Sequence, residues 1–390
     1  MTRPSSPSRS RPKDRRDQIV AEATTLFIER GYHGVRMEDI AAATGITAGA
    51  LYRHDRNKQA LLERVFTAGQ DLWREALVDP AGRSAAARLE RALTDLVAVG
   101  IDFPQPALLW QREARHLEPD AYRVVRGRLR WFTDRVAELL SGVRKDLEPK
   151  RLELLAWAII AVVGSADRYR ATLPRPEFDD TLSAAALAVA AAPVPAGPDH
   201  PGGNDPPRSG LAPVTRREHL LSAAAVLFRQ KGFLATGIDE VAAEAGMAGS
   251  AVYRHFETKA EILEALVTRF TEWRTLETFR ALAESTGAAD VRRHLIRRYA
   301  TLALEHPDLV SVTLTESLHL ADDTRRAVLR RDDEWQDELA AYAGGDSTGR
   351  VLSGAARAVV DDLVRIPHLR PQLDPEQLVL LADAVLTVGT

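Results

Sequence analysis

The sequence predicts an all-α protein made of two tandem units, each consisting of a three-helix head and a helical-bundle body. Composition is the first reason, because 45% hydrophobic but only 6% aromatic residues favour packed helices over a β-sandwich or barrel. The second reason is an internal repeat, and the third is a segment rich in proline and glycine that separates the two copies. At 390 residues the chain is long enough for several domains that each bury a core.

The repeat aligns residues 16–63 with residues 217–264 without a gap, at a constant offset of 201 and with about fifteen identities. A looser similarity continues into the bodies, where residues 113–117 match residues 316–320 after a further shift of two. Whole units were therefore duplicated. We expect a disordered basic arm at 1–13, heads at 14–61 and 214–262, bodies at 62–192 and 263–390, and a linker at 193–213.

Each head has the pattern of a helix-turn-helix. In the first copy, apolar residues at helical spacing between Ile19 and Phe27 form a stripe on a first helix, which Gly31 can end. The pattern then predicts a short helix over 38–43, a turn around Gly45 and another short helix over 48–54. This spacing presents the last helix outward as a recognition helix for the major groove of DNA.

These segments resemble the TetR family of transcriptional regulators. The resemblance rests on residues 45–54, Gly-Ile-Thr-Ala-Gly-Ala-Leu-Tyr-Arg-His, with Lys58, and on residues 245–256 with Lys259. It covers about 48 residues in each copy and is highly specific. The chain is also similar to the minority of family members that carry two heads. The resemblance implies two partners: double-stranded DNA, and a small, often apolar effector bound by a body, which the sequence does not identify.

By this resemblance, two sets of side chains would contact DNA. Base edges would be read by Ala48, Gly49, Ala50, Arg53, Gly249, Ser250, Ala251 and Arg254. Phosphates would be held by Tyr52, His54, Lys58, Tyr253, His255 and Lys259. The chemistry agrees, because Tyr, His and Lys can donate to phosphate oxygens, whereas small residues allow close approach to base edges and thymine methyl groups.

The two copies depart from the family pattern at different positions. Thr236 has a hydroxyl that would cap a helix and can contact phosphate, and the first copy has a valine there. Thr47 can cap the first recognition helix but Ala248 cannot cap the second, which predicts a loss of about 1 kcal/mol. Phe256 is replaced in the first copy by Asp55, which would put a carboxylate near the DNA side. Thr47 and Thr236 are therefore included among the predicted DNA-binding residues.

Residue types and motifs that are absent from the sequence exclude several classes of function. The absence of cysteine excludes disulfides, thiolate metal sites and cysteine nucleophiles, and fits a reducing cytoplasm. The longest apolar runs, 154–164 and 184–192, are shorter than the roughly 20 residues that a membrane span needs. No phosphate-binding loop, dinucleotide fingerprint or nucleophile elbow occurs. We expect no cofactor, no metal and no enzymatic activity. With a net charge of −3, a DNA-binding surface must come from the placement of charges.

Three alternatives remain open. Glu113 with His116, and Glu316 with His319, form a Glu-x-x-His motif in each copy, which is half of a di-iron carboxylate site; the simpler interpretation is that they orient a helix in each body. A helix-turn-helix can also bind protein, and Tyr52 could merely pack inside its head. The basic arm could read a minor groove or remain a solvated tail.

One chain with two heads favours an intramolecular pseudo-dimer. Family members usually act as homodimers that present two recognition helices about 34 Å apart. We expect the last helices of both bodies to form a four-helix interface, and the unlike recognition helices to prefer an asymmetric operator; a homodimer of chains is the alternative. The expected function is repression that an effector releases. The expected interface segments are 152–169, 181–191, 352–363 and 375–388.

Overall fold

The computed structural model describes residues 15–77, 84–169, 172–194 and 215–388. Every regular element of these residues is a helix, so the all-α prediction is confirmed. The predicted arm at 1–13 and the linker at 193–213, apart from its first two residues, lie outside the described residues. Within the described part, no helix is long and apolar enough to cross a membrane.

The helices of the first half belong to its head and its body. They are α1 (Arg15–Arg30), α2 (Met37–Ala43), α3 (Ala48–His54), α4 (Lys58–Ala76), α5 (Ala85–Asp102), α6 (Gln105–Glu113), the 3-10 helix η1 (Ala114–His116), α7 (Pro119–Val143), α8 (Pro149–Gly164), α9 (Ala166–Tyr169) and α10 (Glu177–Ala191).

The second half repeats this order. Its helices are α11 (Arg216–Lys231), α12 (Ile238–Glu244), α13 (Gly249–Val252), α14 (Lys259–Glu284), α15 (Ala288–Glu305), α16 (Pro307–Glu316), η2 (Ser317–His319), α17 (Asp322–Ala341), α18 (Ser347–Arg365), η3 (Arg370–Gln372) and α19 (Pro375–Leu386).

The helices form two compact units. Unit 1 contains residues 1–74 and 105–130, and thus the first head with nearly all of α4, α6, η1 and the first half of α7. Unit 2 contains residues 75–104 and 131–390, and thus α5, the second half of α7, α8, α9 and α10 of the first half and the whole second half. The division does not follow the sequence repeat, because helices from both bodies pack together inside unit 2.

The core of the first head follows the apolar stripe that the sequence predicts on α1. Ile19, Ala23, Leu26 and Phe27 are all buried. The helix ends where Gly31 takes a φ of 70° and donates its N–H to the carbonyl of Phe27 at 3.0 Å. Glycine adopts this left-handed conformation without the steric cost that a side chain would add.

The turn before each recognition helix also requires a left-handed residue. Gly45 has a φ of 66° between α2 and α3, and Gly246 has a φ of 68° between α12 and α13. Each recognition helix is anchored by one fully buried side chain, Leu51 in α3 and Val252 in α13. The opposite face of each helix is left to solvent.

Helices from both halves of the chain form one interface inside unit 2. Helix α8 contacts α10 and α18, and α19 contacts α10 and α18. These helices contain the segments that the sequence predicts for a four-helix interface. Buried small side chains, such as Ala156 on α8 and Ser353 and Ala356 on α18, permit this packing. At its edge, Nε2 of His368 lies 2.9 Å from Oε1 of Glu153.

One of the predicted interface segments is interrupted. The segment 152–169 is divided between α8, which ends at Gly164, and α9, which begins at Ala166. Ser165 lies between them, and its hydroxyl donates to the carbonyl of Val162 at 2.7 Å. Such a local bond competes with regular backbone pairing, which is a common reason for a helix to bend or end at serine.

The core of the second body contains a network of buried charges. Asp332 on α17 accepts from Arg274 at 2.7 Å and from Arg357 at 2.6 Å. Arg357 also donates to Asp361 at 3.2 Å, and the hydroxyl of Tyr299 donates to the same carboxylate. Because Arg274 and Arg357 are only 2% and 3% exposed, the carboxylates must compensate charges that water barely reaches.

Replacing Asp332 with alanine is expected to destabilise the second body, because the buried Arg274 then loses its carboxylate partner and Arg357 keeps Asp361. The expected loss is about 3 kcal/mol in the free energy of unfolding. Asp337 on the same helix is exposed and pairs with Arg350 at 2.9 Å, so Asp337→Ala is the matched control and should cost less than about 1 kcal/mol. Equal shifts of the thermal midpoint in both variants would contradict this account.

Candidate DNA-binding interface

The predicted DNA-contacting residues of each head are accessible; in the first head they lie on α3, whereas Tyr253, Arg254 and His255 follow the end of α13 at Val252. Tyr52 is 47% exposed and Tyr253 is 56% exposed. Arg53 and Arg254, one position further along, are also exposed. The other predicted residues of these segments are exposed or half-buried: Ala48, Gly49, Ala50, His54, Gly249, Ser250, Ala251 and His255. Within each head, the residues predicted to read bases therefore lie beside Tyr and His, which are predicted to hold phosphates.

The two recognition helices differ in length and in capping. Helix α3 has seven residues, and Oγ1 of Thr47 accepts the N–H of Ala50 at 3.2 Å. Helix α13 has four residues and begins after Ala248, without a side-chain cap. The predicted difference in capping is thus confirmed, and the uncapped helix is the shorter one. A DNA contact by Thr47 stays a prediction.

The predicted phosphate ligands Lys58 and Lys259 also bind inside their own heads. Nζ of Lys58 donates to two carbonyls of the α1–α2 loop at 2.8 and 2.9 Å. Nζ of Lys259 donates to the two equivalent carbonyls at 2.6 and 2.7 Å. Partial burial lowers the pKa of both ammonium groups. An ammonium has three N–H donors; Lys259 also donates to the carbonyl of Leu234 at 3.5 Å. A phosphate contact stays a prediction, which requires the third N–H of Lys58 and the exchange of a long bond at Lys259.

A buried glutamate binds the same loop in the first head. Oε2 of Glu113 accepts the backbone N–H of Tyr32 at 2.9 Å. The ring of His116 stacks on the ring of Tyr32 with centroids 5.6 Å apart, and Lys58 lies over the same ring while it binds the Tyr32 carbonyl. One loop residue is therefore held by its N–H, its carbonyl and its ring. We call Tyr32, Lys58, Glu113 and His116 the clasp of the first head.

The second head has the same clasp, built from Phe233, Lys259, Glu316 and His319. Oε2 of Glu316 accepts the N–H of Phe233 at 2.8 Å, and the rings of Phe233 and His319 stack at 5.4 Å. Lys259 donates to the carbonyl of Phe233 and lies 4.5 Å from the centre of its ring. The geometry of the clasp is thus the same in both copies.

The clasp accounts for the Glu-x-x-His motif that the sequence repeats. Both glutamates accept backbone amides and both histidines stack on loop rings, so the motif orients a helix against the head. Among the described residues, no group of three or more His, Asp or Glu side chains is arranged to hold a metal ion. Sequence analysis missed the loop residues in the clasp; the only signal for them was this motif, repeated in both copies.

The helix-capping role predicted for Thr236 is wrong. Its side chain is 1% exposed, and its hydroxyl donates to the carbonyl of Gly232 at 2.8 Å. The N-cap residue of α12 is instead Gly237, whose N–H donates to Oε2 of Glu240 at 2.8 Å. The hydroxyl therefore bonds to a carbonyl at the end of α11 and does not cap α12; a phosphate contact by Thr236 stays a prediction.

The Asp55 carboxylate, predicted to lie near the DNA side, is buried directly after α3. Nη2 of Arg64 lies 2.5 Å from it. Burial raises the pKa of Asp55, and Arg64 acts in the opposite direction. In the second head Phe256 is buried, with the guanidinium of Arg217 at 4.7 Å from its ring. A buried ion pair in the first head therefore replaces an aromatic contact of the second.

The histidine of the first clasp is held in its neutral form. Burial lowers the pKa of His116 to about 3, and the positive charges of Arg115 and Lys58 and the ring of His33 add to this effect. Nδ1 of His116 lies 3.3 Å from Nε2 of His33, and its Nε2 lies 3.8 Å from Glu113. The folded first head therefore resists protonation of this ring.

Comparison with protein families identifies the two heads. The model described as "Bacterial regulatory proteins, tetR family" matches residues 19–65 and residues 220–266. These two matches have the same offset as the repeat and contain both recognition helices.

Curated relatives extend the similarity beyond the heads. The chain is 34% identical over 176 residues to the HTH-type transcriptional activator FasR of Mycolicibacterium smegmatis, covering 44% of this chain and 78% of that protein. It is 33% identical over 122 residues to the HTH-type transcriptional repressor KstR2 of Rhodococcus jostii, covering 30% of this chain and 58% of that protein. The chain thus spans less than two thirds of the length of the KstR2 relatives that it matches.

Solved structures with a similar fold cover about half of this chain. A tetR-family regulatory protein from Rhodococcus RHA1 is 22% identical, with a TM-score of 0.42, and the match covers 46% of this chain and 97% of that one. AibR in complex with isovaleryl coenzyme A and operator DNA is 21% identical, with a TM-score of 0.39, and the match covers 44% and 96% of the two chains.

Ala248→Thr is expected to stabilise the second head by about 1 kcal/mol, because the new hydroxyl can accept the N–H of Ala251 as Oγ1 of Thr47 accepts that of Ala50. Thr47→Ala is the matched control and should destabilise the first head by a similar amount. Hydrogen exchange of the recognition-helix amides measures both effects. Unchanged protection of α13 in Ala248→Thr would show that capping does not limit this helix.

Lowering the pH from 7 to 5 is expected to destabilise the first head through His116. The pKa of about 3 in the folded chain lies below the unfolded value near 6.5, so the unfolded chain binds the proton first. The stability is complete above pH 6.5 and decreases as the pH falls towards 3, by about 1 to 2 kcal/mol at pH 5. His116→Phe keeps the ring but cannot titrate, so its thermal midpoint should decrease less. The same decrease in both proteins would contradict the assignment.

Proposed function

Since this chain belongs to the tetR family of bacterial regulatory proteins, we propose that it acts as a single-chain pseudo-dimer on one asymmetric operator. It is a DNA-binding transcriptional regulator, as its relatives are, and those relatives are not enzymes. The observation that carries the proposal is the duplicated recognition surface, in which an exposed Tyr-Arg face lies opposite a buried anchor in each head.

The chemistry of this surface fits double-stranded DNA. Arg53 and Arg254 can each form two hydrogen bonds with the major-groove edge of a guanine, which is a common base-specific contact. Tyr52 and Tyr253, beside them, can donate to phosphate oxygens and fix the position of the helix on the duplex. Each head therefore has one long base-reading donor next to groups that suit the backbone.

The packing inside unit 2 supports an intramolecular pseudo-dimer. Helices α8 and α10 come from the first body, and α18 and α19 from the second, yet they form one buried interface. A chain that satisfies its own dimer interface does not need a second chain to supply a second head. The unlike segments 48–51 and 249–252 favour two different half-sites, about one DNA turn apart.

We further propose that a small molecule bound by a body releases the protein from DNA. An effector can do this only if it binds more tightly when the heads are away from their DNA-bound spacing. It then lowers DNA affinity by the difference between its binding free energies to the two arrangements. Repression is the proposed direction, in line with the name of the KstR2 relatives, whereas FasR is named an activator. A reporter gene behind the selected operator distinguishes the two directions by the sign of its response.

The test of the pseudo-dimer is selection of bound duplexes from a random pool, followed by native mass spectrometry of the complex. We expect one chain per operator and two unlike half-sites. Arg53→Ala should relax base preference in one half-site and Arg254→Ala in the other, each by about 1 to 3 kcal/mol, whereas Tyr52→Ala should weaken binding to all sequences. Two chains on a palindromic site would overturn the pseudo-dimer, and equal loss on every sequence from all three variants would overturn the assigned roles.

A further inference from the structure

A carboxylate lies against the base-reading face of the second head. Asp239 is on α12, and its Oδ1 is so close to Gly249 that a Cβ built on this glycine would be 2.2 Å away. Gly249 is the first residue of α13 and one of the predicted base-reading residues. Asp239 is itself exposed, so a base edge that approaches Gly249 meets this carboxylate.

The first head has no such group at the same place. A Cβ built on Gly49 would have nothing within 4 Å. Glu38, which matches Asp239 at the offset of 201, is exposed and does not come this close to Gly49. The two recognition surfaces therefore differ by one carboxylate beside the residue at which each helix can approach a base most closely.

The carboxylate of Asp239 is available for an external donor. Its neighbour Glu240 binds Lys231 at 2.6 Å and the N–H of Gly237 at 2.8 Å. Asp239 makes no hydrogen bond or ion pair with any other residue in the described part of the chain. An exposed acid beside a DNA-binding face repels phosphates, but its position against Gly249 lets it accept a hydrogen bond from a base edge that approaches this glycine.

We propose that Asp239 is a specificity-determining residue of the second head and selects cytosine at one position of its half-site. This inference rests on the proposed DNA-binding function. Cytosine presents its N4 amino group in the major groove, and an aspartate or glutamate carboxylate is the side chain that accepts from it. A carboxylate cannot donate, so it disfavours bases that present only acceptors at this place.

The test compares duplexes selected from a random pool by the full-length chain and its variants. The wild type should prefer cytosine by about tenfold at one position of one half-site. Asp239→Ala should abolish this preference. Asp239→Asn should move it to adenine, because an amide can pair with both N6 and N7 of that base. Gly249→Ala should also weaken it, since the added methyl group displaces the carboxylate while the acid is retained.

Two controls separate base recognition from charge and from folding. Glu244→Gln removes an exposed acid at the other end of α12, and Glu38→Gln removes the matching acid of the first head; neither should change the cytosine preference. Thermal unfolding of Asp239→Ala shows whether the acid only stabilises α13, in which case affinity would change for all sequences alike.

The outcomes are distinct. Loss of the cytosine preference in Asp239→Ala, with its transfer to adenine in Asp239→Asn, supports the inference. An equal change in affinity for every duplex, with the base preference intact, overturns it and leaves the proposed function in place. Failure of the wild type to enrich any duplex overturns the proposed function itself.

Discussion

The arrangement of each head depends on one buried hydrogen bond, in which a glutamate accepts the backbone amide that follows a left-handed glycine. Glu113 accepts from Tyr32, directly after Gly31, and Glu316 accepts from Phe233 in the same way. A carboxylate that water barely reaches needs such a donor, because an unpaired buried charge costs several kcal/mol. The loop between the first two helices of each head is therefore fixed by the residues that end α6 and α16, and not only by the core of the head.

Both copies keep this bond although the intervals in their sequences differ. The head residues repeat at an offset of 201, but the glutamates repeat at 203. The second copy therefore has two more residues between the head and the Glu-x-x-His motif. The histidine ring and the lysine ammonium have the same geometry in both clasps. Loop length has a small effect on stability, whereas displacing a buried carboxylate from its amide has a large one, which explains why the clasp was retained while the connection changed.

Local features were predictable from the sequence and distant ones were not. The end of α1 at Gly31, the turn at Gly45 and the missing cap at Ala248 each depend on a few neighbouring residues, and all three agree with the structure. The partner of Glu113 lies 81 residues away, and no periodicity reports a contact at that distance. The capping role predicted for Thr236 was wrong for a related reason. It was inferred from the position of Thr236 before α12, whereas its hydroxyl donates to the carbonyl of Gly232 at the end of α11.

The physical consequence of placing both heads in one chain is that they need not be equivalent. In a homodimer one sequence must serve both half-sites, so a change that improves one contact is made twice. Here α3 is longer and capped and has no acid against Gly49, and this combination suits backbone affinity. Helix α13 is short and uncapped, with Asp239 over its first residue, and this suits discrimination between bases at some cost in affinity. In the proposed pseudo-dimer such a division can persist because both heads belong to one chain, whose helices α8, α10, α18 and α19 pack into one interface.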